Sequence, residues 1–512
     1  MRKCFVFAVC MLYLVVACSC AWGDVPLDEA HFPDQVFREK VAEKDRDHDG
    51  VLSDEEISKT TSLSLYPESN GMVYSLKGIE YLTALTFLLV DDMGLTELDL
   101  SRNTALTYLW CHRNHLTRLD LSNNTALKQL LCDGNKLTEL DLSKNTALVQ
   151  LHCNDNTITS LNVSGCRFLQ DLFCYNNQLA TIDTSGCPAL MTFYCDRNSL
   201  NRLDLSSNNS LRFLSCSQNK FAELDLSSNT ALVQLSCSFC GLTELNLRNN
   251  TALRILDCSY NNISDLDLSC NTALVNLKCV NNSLTELDLS RNTQLVKVDC
   301  GRMMSDIRPP TQTLNVSGCS SLVELDCSSN NLETLDLSTC SALAKLDCGS
   351  NYNLAGLNLY GCPNLVMLDT RYCLESSRVE GNCPKLAVVT CDETTTISVE
   401  SSIIKRTVEV STENFPDKIF REYVSTEIDE DEDGYLSPEE IMRTSYIHYY
   451  FSPYDDPAEE EKISSLKGIE YLVGLTSIMC SKNNISELDL SSCPLIDSII
   501  LDENKLTELN VS

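Results

Sequence analysis

Cysteine stands at positions 111, 132, 153, 174, 195, 216, 237, 258, 279 and 300, a spacing of 21 residues held without a slip. The beat starts earlier at Val90 and resumes, after a six-residue insertion, at Cys327, Cys348, Thr370 and Cys391. A fixed period of this size belongs to a solenoid, in which each repeat is one coil stacked on its neighbour. Val90, Thr370 and, near the C-terminus, Leu501 occupy the cysteine slot. A slot that accepts Val, Thr or Leu needs a small apolar body and not a thiol. The row is therefore expected to be a buried stripe of the core.

One whole repeat, residues 106–126, reads LTYLWCHRNHLTRLDLSNNTA. The two-residue period of a strand turns Leu106, Leu109, Cys111 and Leu116 inward and Tyr108 and Trp110 outward. A second short strand is expected at Leu119–Asp120–Leu121. Equivalents of Asn114 and Asn124 recur down the chain, where stacked amides can bond the backbone of turns that have no sheet partner. Cysteine replaces asparagine at one of these positions in Cys166, Cys187, Cys319, Cys340, Cys362 and Cys383.

The pattern LxxLxCxxNxLxxLDLxxN resembles the bacterial leucine-rich repeat family, in its irregular 21-residue subclass, over about residues 75–400 and again 465–512. The resemblance implies an α/β leucine-rich repeat solenoid, predominantly parallel β, that binds a ligand through a sheet on its concave side. The convex half carries LDL instead of a helical pattern, so little helix is expected there.

Met1-Arg2-Lys3 followed by the apolar run from Phe5 to Ala17 has the form of a secretory signal peptide over residues 1–23. Val15-Val16-Ala17-Cys18 resembles a bacterial lipobox, which would put a lipid on Cys18; cleavage after Ala21 or Gly23 is the other reading. No other run of 18 apolar residues exists, so no membrane span is expected. A net charge of −33 argues against nucleic acid and anionic membrane surfaces as partners. Part of it comes from a row that includes Asp99, Asp120, Asp141, Asp183, Asp204 and Asp225, each expected to cap its own turn. An exported, bacterial, surface-held or secreted protein acting as a monomer is the resulting expectation.

Outside residues 1–23 most cysteines occupy core or ladder slots, so the expectation is buried, reduced thiols and few disulfides. Cys237-Ser238-Phe239-Cys240 imitates a redox or zinc pair, but both cysteines fall on ladder positions.

Two segments interrupt the repeat and copy each other. Phe32-Pro33-Asp34 to Phe37-Arg38-Glu39 matches Phe415-Pro416-Asp417 to Phe420-Arg421-Glu422, and SLKGIEYL follows both, at 75–82 and 465–472. The chain therefore reads as a cap (24–74), a solenoid (75–400), a second cap (401–464) and the start of a second solenoid (465–512). That second solenoid stops in mid-repeat at Ser512, as a truncated sequence would. The acidic loops between these copies, DRDHDGVLSDEE and DEDEDGYLSPEE, resemble the EF-hand. Calcium takes six to eight oxygens, a glycine at the sixth position turns the loop, and a glutamate at the twelfth is bidentate. The ligands would be Asp45, Asp47, Asp49, the Val51 carbonyl, Ser53 and Glu56, and in the copy Asp429, Asp431, Asp433, the Tyr435 carbonyl, Ser437 and Glu440. Each loop is read as a weak structural Ca2+ clip on its cap, with an incoming helix that starts at Pro33.

The outward slot before each cysteine is aromatic in the N-terminal half and acidic in the C-terminal half. Trp110, His152, Phe173 and Tyr194, flanked by Tyr108, Tyr175 and Phe213, form the expected ligand face for an extracellular protein or glycan. The insertion Arg302 to Pro310 is expected to rim it. Residues 57–74 could instead cover the aromatics, and a surface-layer protein would need no such face. No serine or cysteine nucleophile with an orienting acid can be assigned among the six histidines, so an enzyme is not expected.

Overall fold

The computed structural model describes residues 24–67, 71–302, 311–373, 378–391, 395–399, 407–451, 458–493 and 495–511. The signal segment with Cys18, and most of the 302–310 insertion, lie outside the described residues. The chain divides into two compact units at Cys166 and Arg167. Both are parallel β solenoid with little helix.

In the first unit, Tyr108–Trp110 pairs in parallel with Gln129–Leu131, which pairs with Gln150–His152. The second unit repeats this from Asp171–Phe173 to Val388–Thr390, again in a register of one coil. Leu106, Leu109, Cys111 and Leu116 are fully buried, and Tyr108 is 41 % exposed. The inward row is a column of leucine and cysteine, as the period requires. The 24 described cysteines are free thiols, and all but Cys270 and Cys391 are buried.

Both asparagine ladders are built as hydrogen-bond ladders. Asn135 donates to the Cys111 and Cys132 carbonyls, and its Oδ1 accepts from Leu116 N. Asn145 donates to the Leu121 and Asn124 carbonyls, but its Oδ1 is buried without a partner. Cys166, one coil on, donates to the Leu142 and Asn145 carbonyls at 3.4 and 3.8 Å. Cysteine thus takes over the donor of the second ladder and leaves no orphaned acceptor. Burial pushes such thiols up, to about 11 for Cys166 and Cys319 and about 12 for Cys362.

The expected strand at Leu119–Leu121 does not form. The extended segment begins one residue earlier in the repeat and reaches ladder geometry in only some coils, as at Glu139–Asp141 with Ser160–Asn162, and Glu286–Asp288 with Thr313–Asn315. With or without the ladder the Asp side chain closes the turn: Ser143 N donates to Asp141 Oδ1 at 2.9 Å, Ser122 N to Asp120 Oδ1 at 3.0 Å and Ser206 N to Asp204 Oδ1 at 3.0 Å. These bonds hold the carboxyls below their ordinary value.

A further turn was not legible in the sequence. The second residue after most cysteines of the core column is left-handed, with φ of 52° at Arg113, 53° at Phe239 and 55° at Tyr260. Glycine takes this corner at Gly134. Corner N–H groups donate to the next coil, as Arg113 N does to Asp133 O at 2.9 Å and Tyr260 N to Val280 O at 2.7 Å. Those bonds offset a conformational cost of about 1–2 kcal/mol for a non-glycine residue.

Candidate functional site

Each cap is two short helices around an acidic loop. Helix α1 spans Gln35–Ala42 and α2 Asp54–Lys59; in the copy, α3 spans Lys418–Glu427 and α4 Pro438–Arg443. Helix α1 does not start at Pro33. Asp34 is its N-cap, accepting from Phe37 N, and its second oxygen accepts from Tyr74 N at 2.9 Å. Asp417 repeats this with Phe420 N and Ser464 N. One carboxylate therefore caps a helix and ties the cap to the start of the solenoid.

Inside the loop, Gly50 adopts φ 86° and its N–H donates to Asp45 Oδ2 at 2.9 Å. Glu56 Oε1 accepts from Arg46 N and Oε2 from Ser53 N at 2.9 Å; with Ser53 it forms the capping box of α2. That box explains Ser53 and Glu56 without a metal. It does not explain Asp45, whose Oδ1 is buried with no partner, or the gathering of Asp45, Asp47 and Asp49 ligand atoms within 4.8 Å of one another. Asp429 Oδ1 is orphaned in the same way, and Asp429, Asp431 and Asp433 form the same group. An orphaned buried oxygen facing two more carboxylates, at positions one, three and five of the loop, fits a hard divalent cation.

Val51 and Tyr435 lie in two-residue strands, with Leu52 and Leu436 fully buried beside them. Val51–Leu52 pairs antiparallel with Val25–Pro26, and Tyr435–Leu436 with Val408–Glu409. Each loop strand thus finds its partner within its own module.

In the first unit Trp110 and His152 are half-buried on the outward face of the sheet. Trp110 Nε1 donates to Gln129 Oε1 at 2.9 Å, Gln129 Nε2 to Gln150 Oε1 at 2.6 Å, and Gln150 Nε2 lies 3.0 Å from His152 Nε2. The tryptophan thus heads a polar row in which the two glutamines, not singled out from sequence, are the links. Of residues 57–74, Ser62–Leu65 adds a parallel strand to the same sheet, beside Phe87–Val90.

In the second unit the Phe173 and Tyr194 rings meet edge to face at 5.0 Å, and Arg212 lies over Phe213 at 5.6 Å. Tyr175 is half-buried one residue past Cys174. The acidic row ends differently from expectation. Asp369 is only 3 % exposed and is bridged by Arg371, because α4 packs over this end of the sheet. Lys345 Nζ donates to Met442 O at 3.4 Å, and Thr390 Oγ1 lies 3.6 Å from Met442 Sδ.

Comparison with solved structures places this architecture. The functional domain of InlJ from Listeria monocytogenes, which includes a cysteine ladder, is 34% identical, with a TM-score of 0.61, over 70% of this chain and 77% of that one. The chain belongs to the leucine-rich repeat proteins. The internalin inlF of the same organism matches 64% of this chain and 99% of its own at 23% identity and a TM-score of 0.54, a likeness of fold. No family model matches the sequence, and no curated protein matches it. Among the described residues, no helix is long and apolar enough to cross a membrane.

Proposed function

We propose that this leucine-rich repeat protein is an exported bacterial binding protein, held at the cell surface through Cys18 or secreted. It recognises a protein or glycan on the outward face of its parallel sheet and is stabilised by calcium in its caps. The observation that carries the binding reading is the row Trp110–Gln129–Gln150–His152, an aromatic anchor in a preformed hydrogen-bonded line. Interfaces draw most of their energy from a few such anchors, Trp and Tyr foremost.

The calcium reading rests on Asp45 and Asp429, whose orphaned oxygens are costly in the buried state unless a cation or donor meets them. Asp45, Asp47, Asp49, the Val51 carbonyl, Ser53 and Glu56 would hold the ion, as would Asp429, Asp431, Asp433, the Tyr435 carbonyl, Ser437 and Glu440. The ion would supply charge neutralisation and loop order. The test is a glycan array and an extracellular-protein pull-down, each run with calcium and with chelator. Trp110→Ala and Tyr194→Ala, measured singly, should each weaken capture while the far-UV spectrum stays unchanged. Capture that survives both substitutions would take the sheet face out of the reading.

A further inference from the structure

Phe239 and Tyr260 stand one coil apart at left-handed corners, with their rings stacked at 4.0 Å and 10°. Neither backbone nor core calls for them. Other coils place Arg113, Asp155, Asn176 and Gln218 at this corner, and asparagine suits the left-handed region better than an aromatic. Phe239 is 49 % exposed, so burial does not account for it either. A flat apolar platform is held at the surface, at the carboxyl end of the strands.

The platform forms one end of a groove of about 390 Å³, within the range of small-molecule sites. Small residues line it, Ser259, Gly301 and Ser328 among them. A Cβ on Gly301 would stand 2.8 Å from Asp326 Oδ1 and 3.0 Å from Ser328 Oγ, so glycine keeps the groove open. Asp257, Asp299 and Asp326 line it together with Lys278 and Arg302. Asp257 Oδ1 accepts from Ser259 N and Asp326 Oδ1 from Ser328 N and Oγ, while their Oδ2 atoms accept from no described residue. Three carboxylates against two cations leave little net charge. The groove offers acceptors, donors and an aromatic surface together, which suits a neutral polyhydroxylated ligand better than a cationic one.

We propose that this groove is a saccharide subsite, in which the C–H face of a sugar ring lies on Phe239 and Tyr260 while a ring hydroxyl donates to Asp257. The proposal rests on the reading of the solenoid as a binding protein, but it uses the rim of the sheet and not the Trp110 row.

The test titrates the full chain with cellohexaose, xylohexaose and chitohexaose, followed by saturation-transfer NMR and calorimetry. At least one should bind in the millimolar range or tighter. Phe239→Asn and Tyr260→Asn, which install a residue already found at this corner in Asn176 and Asn281, should each weaken binding about tenfold, or about 1.4 kcal/mol. Tyr360→Asn, at an exposed ring that does not line the groove, should leave the sugar affinity unchanged, and loss of sugar binding in the corner variants with protein capture intact would separate this subsite from the sheet face. The proposal is overturned if none of the three sugars binds, if both corner variants bind like wild type, or if an octaarginine peptide is the ligand that the corner variants lose.

Discussion

At the residue scale, the two asparagine ladders differ in one atom. In the first, Oδ1 accepts a backbone N–H, as Asn135 does from Leu116; in the second, Oδ1 of Asn103, Asn124, Asn145, Asn229, Asn250, Asn271 and Asn292 has no partner. The sequence already displayed the consequence, since cysteine replaces asparagine repeatedly in the second ladder. The cause lay in hydrogen-bond directions that no spacing reveals. Cys493 is the same exchange between modules: it donates to the Ile469 and Leu472 carbonyls, as Asn103 does to those of Ile79 and Leu82. Asn145→Cys should therefore be nearly neutral in urea unfolding. Asn145→Ala should cost about 1–3 kcal/mol by leaving buried carbonyls short of a donor. Asn135→Cys should cost more than Asn145→Cys, because it also orphans Leu116 N. Equal costs for the two cysteine variants would sink the account. In the core column, Cys195→Val should cost under about 1.5 kcal/mol, and Cys195→Ala more.

At the element scale, the spacing of the acidic residues in each cap loop was legible, and Asp45, Asp47 and Asp49 do gather there. The strand partner was not, since Val25–Pro26 carries no motif. Glu56→Gln preserves the capping box, which accepts Gln, and removes one charge from the loop. Calorimetry should then show the first calcium site lost, from a wild-type affinity of about 10⁻⁴–10⁻³ M typical of extracellular modules. Helix content should not change, and a wild type that melts identically in calcium and chelator would refute the clip. The acidic strand ends make an opposite electrostatic element. Burial, and then the neighbouring Asp326, push Asp299 up to about 6; burial, then Asp326 and Asp369, push Asp347 up to about 7. For an acid raised on folding, the native state binds the extra proton between the unfolded and folded values. Stability is therefore gained as pH falls through about 7 toward 4. Turn carboxyls such as Asp120 are shifted down and withdraw stability only below about pH 4. Calcium-free melting should rise from pH 7.5 to pH 5, and Asp347→Asn should flatten that rise.

At the scale of the whole molecule, the second cap packs against the last coils of the first solenoid. Ala344, Val366, Met367 and Val388 share a buried cluster with Phe415, Phe420, Val424 and Ile441 of that cap. The repeat told where each coil sits, but docking of α4 joins residues up to 97 apart, and no periodic signal records it. For that reason Asp369 reads as exposed in the sequence and is buried in the fold. If α4 seals this end, disturbing it should loosen the last coils and leave earlier ones alone, since coils contact chiefly their neighbours. Met442→Glu puts a carboxylate into a pocket already lined by Asp347 and Asp369, and the added like charge should lift the helix. Hydrogen exchange should then quicken at Met367–Asp369 and Val388–Thr390, while Phe213–Ser215 and Gln234–Ser236 keep their protection. Because α4 also carries Glu440, chelating calcium should reproduce part of this pattern in the wild type. Exchange that quickens evenly along the solenoid, or not at all, would mean that the second cap is a neighbour of the first solenoid and not its seal.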